Sequence, residues 1–330
     1  MADWQSALAE AWYRRALWLW LLRPLEVLFR SLAALRRGLY RIGLLSRFHA
    51  PKPVVVVGNI TVGGTGKTPI VVALVEYLQS EGFRPAVVSR GYGATGESFP
   101  HTVTTHSTAA DCGDEPLLIF QRTDCPCVVA PSRVAAVEQL LASFDVDIII
   151  CDDGLQHYAL DRDMEIAVLD KHWRVGNGFC LPAGPLREPL GRLALVDHVL
   201  YRGSDDPANG VTYEQACLIN LDSGEERVIA PDSLAKNIHA LAGIGQPNQF
   251  FESLRQRGFS IEAHQFPDHH DYTPTDFSNL TGKPVIMTEK DAVKCRAFTD
   301  SNAWYLKINA RIPDAVQRAV VSLVKLPNGA

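Results

Sequence analysis

A chain of 330 residues is longer than one hydrophobic core usually supports, so two folded units are expected. Its 47% hydrophobic and 21% charged residues exclude a disordered or fibrous chain. The net charge of −5 is unevenly spread: residues 1–50 hold eight arginines against Asp3, Glu10 and Glu26, a basic +5 segment on a body that carries −10. Because that body is acidic, with no basic stripe interleaved with aromatics, nucleic acid is discounted as a partner. The seven cysteines form no C-x-x-C pair, and Cys125 and Cys127 are spaced too closely for a zinc half-site. Buried or idle thiols in a reducing cytosol are expected.

Residues 11–48 are rich in Trp, Leu and Arg. The uninterrupted apolar run, residues 16–22, is seven residues, far short of the ~20 that a membrane span needs, and no signal-peptide pattern can be placed. Pro24 suits the first turn of a helix, so one helix ending near Leu22 and a second starting at Pro24 are predicted. Trp12, Trp18 and Trp20 among arginines have the composition of an interfacial membrane helix. The competing expectation is that these apolar residues pack on the body of the protein.

The stretch that organises the chain is residues 54–74, VVVVGNITVGGTGKTPIVVAL. Four valines, a glycine-rich turn and Gly66-Lys67-Thr68 before an apolar helical pattern read as strand, phosphate loop and helix. Phosphates need backbone N–H donors at close range, a cation and a helix N-terminus, which Thr61, Val62, Gly63, Gly64, Thr65, Gly66, Lys67 and Thr68 would supply. Lys67 gives the charge and Thr68 a hydroxyl for Mg²⁺. Thr61 stands where the first glycine of G-x-x-x-x-G-K-[ST] would fall, and Gly63-Gly64 partly compensates. An ATP or GTP site is expected.

Strands are predicted near 54–57, 86–89, 127–130, 146–151, 165–169 and 197–201, with helices over 67–80, 114–121 and 131–143. That alternation implies a mostly parallel sheet with helices on both faces, and ligands bind beyond the carboxyl ends of its strands. The residues there include Arg90, Arg133 and Asp152-Asp153-Gly154-Leu155-Gln156-His157. An apolar strand ending in aspartate is where a phosphate-loop protein keeps its Mg²⁺ carboxylate, so Asp152 and Asp153 are metal candidates. Asp114 in Gly113-Asp114-Glu115-Pro116 reads equally as a helix cap or as a catalytic carboxylate. The Gly- and Pro-rich segment 177–188, with Arg187 and Glu188, suits a substrate loop.

Residues 204–230 are turn-rich and are expected to form a β-hairpin linker between a domain at 51–203 and a smaller α/β domain at 231–330, with 1–50 as the basic amphipathic segment. In the second unit Gly243-Ile244-Gly245 opens a helix at about 247–257; lacking a third glycine, it reads as a plain strand-to-helix turn. His269 and His270 are adjacent, a poor geometry for one metal ion. A strand at 284–287 runs into charged residues 288–294, and a strand at 303–308 and a helix at 314–325 close the chain.

Together GNITVGGTGKTP, SRGYG, GDEP, VVAPSR, DDGLQH, NGFCLPAGPLREP, ALAGIGQPNQFF, FPDHH and VIMTEKDAVK resemble the tetraacyldisaccharide 4′-kinase family, in the expected order from about 51 to 294. The resemblance implies an α/β fold: a P-loop NTPase-type α/β/α domain, a second smaller α/β/α domain joined by a two-stranded linker, and an N-terminal amphipathic membrane-associating helix. It implies an enzyme that uses ATP and Mg²⁺ to phosphorylate the 4′-hydroxyl of a tetraacyldisaccharide 1-phosphate, giving lipid IVA. The partner would be an anionic glycolipid, with peripheral association at the cytoplasmic face of the bacterial inner membrane. Asp114 matches the family's catalytic base and His269 the residue paired with it, with Lys67 on the phosphates. Arg90, Arg133, Gln156, His157, Arg187 and Glu188 match motif positions and are assigned to substrate contacts. Two rivals are an ATPase switch bound to membranes, which would carry a lysine where Val62 stands, and a kinase for a soluble small molecule, which would leave the first fifty residues without purpose.

Overall fold

The computed structural model describes residues 4–63, 66–96, 98–296, 299 and 301–325. Helix α1 (Trp4–Arg14), a 3₁₀ turn (Leu17–Leu22) and α2 (Arg23–Arg41) open the chain. The first α/β unit follows: β1 (Val54–Gly58), α3 (Lys67–Ser80), β2 (Pro85–Ser89), β3 (His101–Thr102), α4 (Ala109–Cys112), α5 (Asp114–Thr123), β4 (Cys127–Val129), α6 (Arg133–Ser143), β5 (Ile148–Asp152), β6 (Met164–Asp170) and β7 (His198–Arg202). Then come β8 (Gly210–Asn220), β9 (Glu226–Arg227), β10 (Asn237–Ala242), α7 (Pro247–Gln256), β11 (Ser260–Gln265) and α8 (Pro274–Phe277). The chain closes with β12 (Val285–Thr288), α9 (Glu289–Cys295), β13 (Ala303–Arg311) and α10 (Asp314–Lys325).

The strands join in one mixed sheet, ordered β11-β10-β12-β13-β8-β7-β6-β1-β5-β2-β4-β3 with β9 beside β8. In the first unit β7, β6, β1, β5, β2 and β4 run parallel, and only the edge strand β3 is antiparallel. Parallel strands covered on both faces need apolar residues throughout, which is why Val54, Val55, Val56 and Val57 are all buried. Helices α3 and α5 cover one face, with Ile70, Leu74 and Leu78 fully buried there. Helix α6 covers the other, with Ala136, Val137 and Leu140 against β2 and β4. The predicted strands and helices of this unit are observed within two residues at each end.

The expected hairpin is present but short. Strand β9 pairs with β8 at only Leu218↔Arg227 and Ile219↔Glu226. The long antiparallel partner of β8 is instead β13, from Thr212↔Arg311 to Asn220↔Trp304, so the two strands that connect the units come from distant parts of the sequence. The end of the chain also leaves the second unit: Ile312, Val316, Val320 and Val321 belong to the core on the α3 face of the first sheet. The apolar stripe of α10 requires a partner, and α3 provides it.

The N-terminal segment breaks earlier than its proline implies: α1 ends at Arg14, and the 3₁₀ turn over Leu17–Leu22 runs directly into α2, whose first turn holds Pro24. Trp12 and Leu19 are buried against Leu181, and Trp12 Nε1 donates to the Pro182 carbonyl at 3.0 Å. Glu26 is buried too, accepting from the Cys180 amide and pairing with Arg23. Leu17, Trp18, Trp20, Leu21, Leu25, Leu28, Leu32 and Leu35 remain exposed. Among the described residues, no helix is long and apolar enough to cross a membrane.

Candidate active site

Strand β1 delivers the chain to the loop before α3. Thr61 is buried and bridges to Leu186, and the Val62 amide donates to the Pro185 carbonyl at 2.8 Å, so the segment 177–188 braces the ascending limb of the loop. Gly64 and Thr65 lie outside the described residues. Gly66 caps α3 in the left-handed region at φ 69°, where only glycine is comfortable, and its carbonyl accepts from the Tyr213 hydroxyl. Lys67 begins the helix and directs Nζ to Asp153 Oδ1 at 3.3 Å.

Asp152 and Asp153 end β5 in different states. Arg187 Nη1 donates to Asp153 Oδ2 at 3.1 Å; burial opposes its charge, but Lys67 and Arg187 prevail and hold its pKa down to about 2. The Asp152 side chain is 1% exposed, and neither carboxylate oxygen meets a hydrogen-bond donor. Burial, reinforced by the nearby Glu115 charge, pushes its pKa up to about 7. A buried carboxylate with both oxygens unmet, with the charges of Lys67, Asp153 and Glu115 around it, fits a hard divalent cation.

Several expected substrate contacts are placed differently. Arg133 is buried: Nη1 donates to the Ala130 carbonyl at 3.2 Å and Nη2 to that of Asp152 at 3.0 Å, which holds the end of β5. Glu188 is also buried, accepting from Gln156 Nε2 at 3.0 Å and from the Tyr158 hydroxyl. Gln156 donates to the Asn59 carbonyl at 3.1 Å as well, so these two residues brace the loop from behind. Position in a strand-end motif did not reveal which side chains turn inward. Arg90 stays exposed, and Arg187 reaches the site through Asp153. Burial and the charges of Arg133 and Arg90 lower the His157 pKa to about 4, so its ring is neutral at pH 7.

Asp114 opens α5, its charge favoured by the helix dipole. The preceding Gly113 has φ 87°, and a Cβ there would stand 2.7 Å from the Tyr92 carbonyl. From the second unit His269, itself left-handed at φ 60°, brings Nδ1 to 2.9 Å from Asp114 Oδ2. Burial alone would raise the Asp114 pKa, but the His269 hydrogen bond and the charges of Lys290 and Lys294 outweigh it and keep the carboxyl below its usual range. The same hydrogen bond raises the His269 pKa.

Lys290 is the residue to which sequence reasoning gave no role. It opens α9, and Nζ lies 3.2 Å from His269 Nε2, 3.2 Å from Asp268 Oδ1 and 3.4 Å from Glu115 Oε1. An ammonium only donates, so Nε2 accepts and the His269 proton sits on Nδ1, aimed at Asp114. A lysine two residues past an apolar strand was the available signal, but its partners come from elsewhere in the fold.

Between the units opens a cleft of about 350 Å³ whose walls include Gly66, Thr68, Val72, Leu118, Tyr213, Gln246, Phe250 and Lys290. Arg202 Nη2 spans it to Gln246 Oε1 at 3.0 Å, and Arg122 joins Glu289 across it at 3.0 Å. Cations gathered at a helix start, an orphaned carboxylate among their charges and a carboxylate paired with a histidine suit phosphoryl transfer, in which charge is neutralised on one reactant and a proton withdrawn from the other. The class is thus a phosphotransferase.

The family profile for Tetraacyldisaccharide-1-P 4'-kinase matches residues 18–325, and the chain belongs to that family. The tetraacyldisaccharide 4'-kinase of Pseudomonas aeruginosa (strain LESB58) is 47% identical over 306 residues, 92% of each chain. That of Tolumonas auensis is 44% identical over 97% of this chain and 98% of its own. Among solved structures, LpxK from Aquifex aeolicus in complex with ATP is similar with a TM-score of 0.78 and 27% identity, covering 93% of this chain and 99% of that one.

Proposed function

We propose that this protein is an ATP-dependent kinase that transfers the γ-phosphoryl group to the 4′-hydroxyl of tetraacyldisaccharide 1-phosphate, giving lipid IVA in lipid A biosynthesis. The observation that carries the mechanism is the 2.9 Å hydrogen bond between Asp114 and His269, contributed by different units and adjoining Glu115 and Asp268 of the cleft that Gly66 and Thr68 also line. Lys67 and the loop amides bind the β- and γ-phosphates, and the nucleoside end extends into the cleft lined by Gly66, Thr68 and Phe250. Thr68 and Asp152 would hold Mg²⁺, which when bound neutralises phosphate charge. Asp153, already engaged by Lys67 and Arg187, orients those cations.

Asp114 Oδ2 accepts the proton of the attacking 4′-hydroxyl. His269 fixes the carboxylate through its Nδ1–H while its Nε2 accepts from the Lys290 ammonium, so His269 orients the base without itself taking the substrate proton. Closure of the second unit on the first completes the pair and excludes water that would hydrolyse ATP. Arg90 and Arg187 are left to meet the anionic disaccharide.

The exposed row Leu21, Leu25, Leu28, Leu32 and Leu35, flanked by arginines, supports peripheral binding to an anionic lipid surface at the cytoplasmic face of the inner membrane. The test is transfer of ³²P from γ-labelled ATP to tetraacyldisaccharide 1-phosphate in detergent micelles. Labelled lipid from wild type and at least ~100-fold less from Lys67→Ala is expected. A folded wild type that binds ATP yet labels no lipid contradicts the reading.

A further inference from the structure

Away from the active site, two histidines and a glutamate meet on the outer edge of the second unit. His239 lies on β10; Glu262 and His264 lie on the edge strand β11, two residues apart and so on one face. The parallel register sets His239 beside Glu262 and Leu241 beside His264. His239 Nδ1 stands 3.1 Å from His264 Nε2 and 3.5 Å from Glu262 Oε2, and the three atoms lie within 4.8 Å of one another. Two ligand atoms bound to one tetrahedral zinc at about 2.0–2.1 Å stand about 3.3 Å apart, so the observed spacing is that of ligands sharing an ion.

The surroundings of His239 point the same way. Its side chain is almost wholly buried, and Nε2 faces the Thr281 carbonyl at 3.5 Å. That carbonyl accepts only from an N–H, which puts the proton on Nε2 and turns the Nδ1 lone pair toward His264 and Glu262. A ligating histidine held from behind by a backbone carbonyl is the usual support for a metal site. Glu262 is exposed, which gives an ion access from solvent. The protein's own cation stands in that access: Lys283 Nζ lies 2.9 Å from Glu262 Oε2.

We propose that His239, Glu262 and His264 form a binding site for a borderline divalent metal, Zn²⁺ by its donor set, with a fourth position open to water. Two imidazoles and one carboxylate suit zinc and its neighbours and not Mg²⁺, which takes oxygen ligands. The ion displaces the Lys283 ammonium and ties β11 to β10. Strand β11 ends at Gln265, four residues before His269, so the site anchors the root of the loop that carries His269.

The test is titration of the metal-free full chain with Co²⁺, whose visible absorption reports its coordination, followed by displacement with Zn²⁺. One equivalent with the absorption of a four- or five-coordinate ion is expected, together with a rise in melting temperature on adding Zn²⁺. His264→Ala and Glu262→Gln should weaken binding at least tenfold, and His264→Ala should abolish the thermal shift. Lys283→Met, which removes the competing cation, should bind more tightly, a gain that a misfolded variant could not produce. Asp152→Asn should bind Co²⁺ as wild type does, separating this site from the nucleotide site. No stoichiometric uptake, uptake unchanged in both His264→Ala and Lys283→Met, or intense thiolate charge-transfer absorption would overturn the proposal.

Discussion

Asp152 and Asp153 are neighbours in the chain and opposites in state. A left-handed turn at Asp153, φ 49°, swings its carboxylate to Lys67 and Arg187, while Asp152 ends β5 inside the sheet with no donor. The folded Asp152 carboxyl titrates at about 7, whereas an aspartate in an unfolded chain titrates near ~4. Its ionisation therefore opposes folding increasingly as pH rises from ~4 through 7, and has no effect on stability below that window. In metal-free buffer, Asp152→Asn should be more stable than wild type at pH 8, by roughly 1–4 kcal/mol, with the gain vanishing towards pH 4. Urea denaturation at both pH values measures it; Asp153→Asn, which discards a paired charge, should lose stability at pH 8 instead. The sequence placed both acids at the site, but adjacent residues carry no signal of which one the backbone turns toward the cations. Arg133 shows the same limit: a strand-end arginine reads as a ligand contact until its guanidinium is seen to fold back onto the Asp152 carbonyl.

Among the elements, the N-terminal helices divide their apolar residues between a buried set and an exposed one. Leu19 is 1% exposed, whereas Leu21 is 82% exposed, so neither of the two sequence expectations, interfacial helix or packing on the body, accounts for the whole segment. Leu25, Leu28, Leu32 and Leu35 recur every three or four residues and form one stripe of α2. Burying a leucine is worth about 1.5–3 kcal/mol, so three of them can shift a membrane partition by more than ~100-fold. Replacing Leu25, Leu28 and Leu32 together by Gln should weaken flotation with anionic-lipid vesicles at least tenfold and leave the melting temperature unchanged. Leu19→Ala should do the reverse, lowering stability by roughly 2–4 kcal/mol. Lost stability with undiminished flotation in the triple variant would assign the stripe to packing. The strands of the first unit were legible because buried parallel strands are written as apolar runs. The β8–β13 pairing was not, since the alternation in residues 210–220 fits any antiparallel partner and the actual one lies some ninety residues on.

Across the whole molecule, one sheet runs through both units, and the cleft and the Asp114–His269 pair lie where they face each other. Lys290 reaches Glu115, Arg122 reaches Glu289 and Arg202 reaches Gln246, so the two units approach through charges and polar groups, an interface suited to opening and closing. Strand β1 and helix α3 were legible as a local motif, a valine run, glycines and lysine in twenty residues. The dyad was not derivable in that way: Asp114 and His269 are 155 residues apart and meet only through the fold, so the resemblance to a known family supplied the pairing. The central claim is that these two residues act as one unit in transfer to the lipid. A double-mutant cycle on the rate of lipid phosphorylation, with ATP affinity measured on the same proteins, tests it most directly. The account predicts that Asp114→Ala lowers kcat by roughly 10²–10⁴, that adding His269→Ala to it costs little more, and that ATP still binds within about threefold of wild type. Losses that multiply as those of independent sites, or an Asp114→Ala variant that keeps near-wild-type transfer, would contradict it.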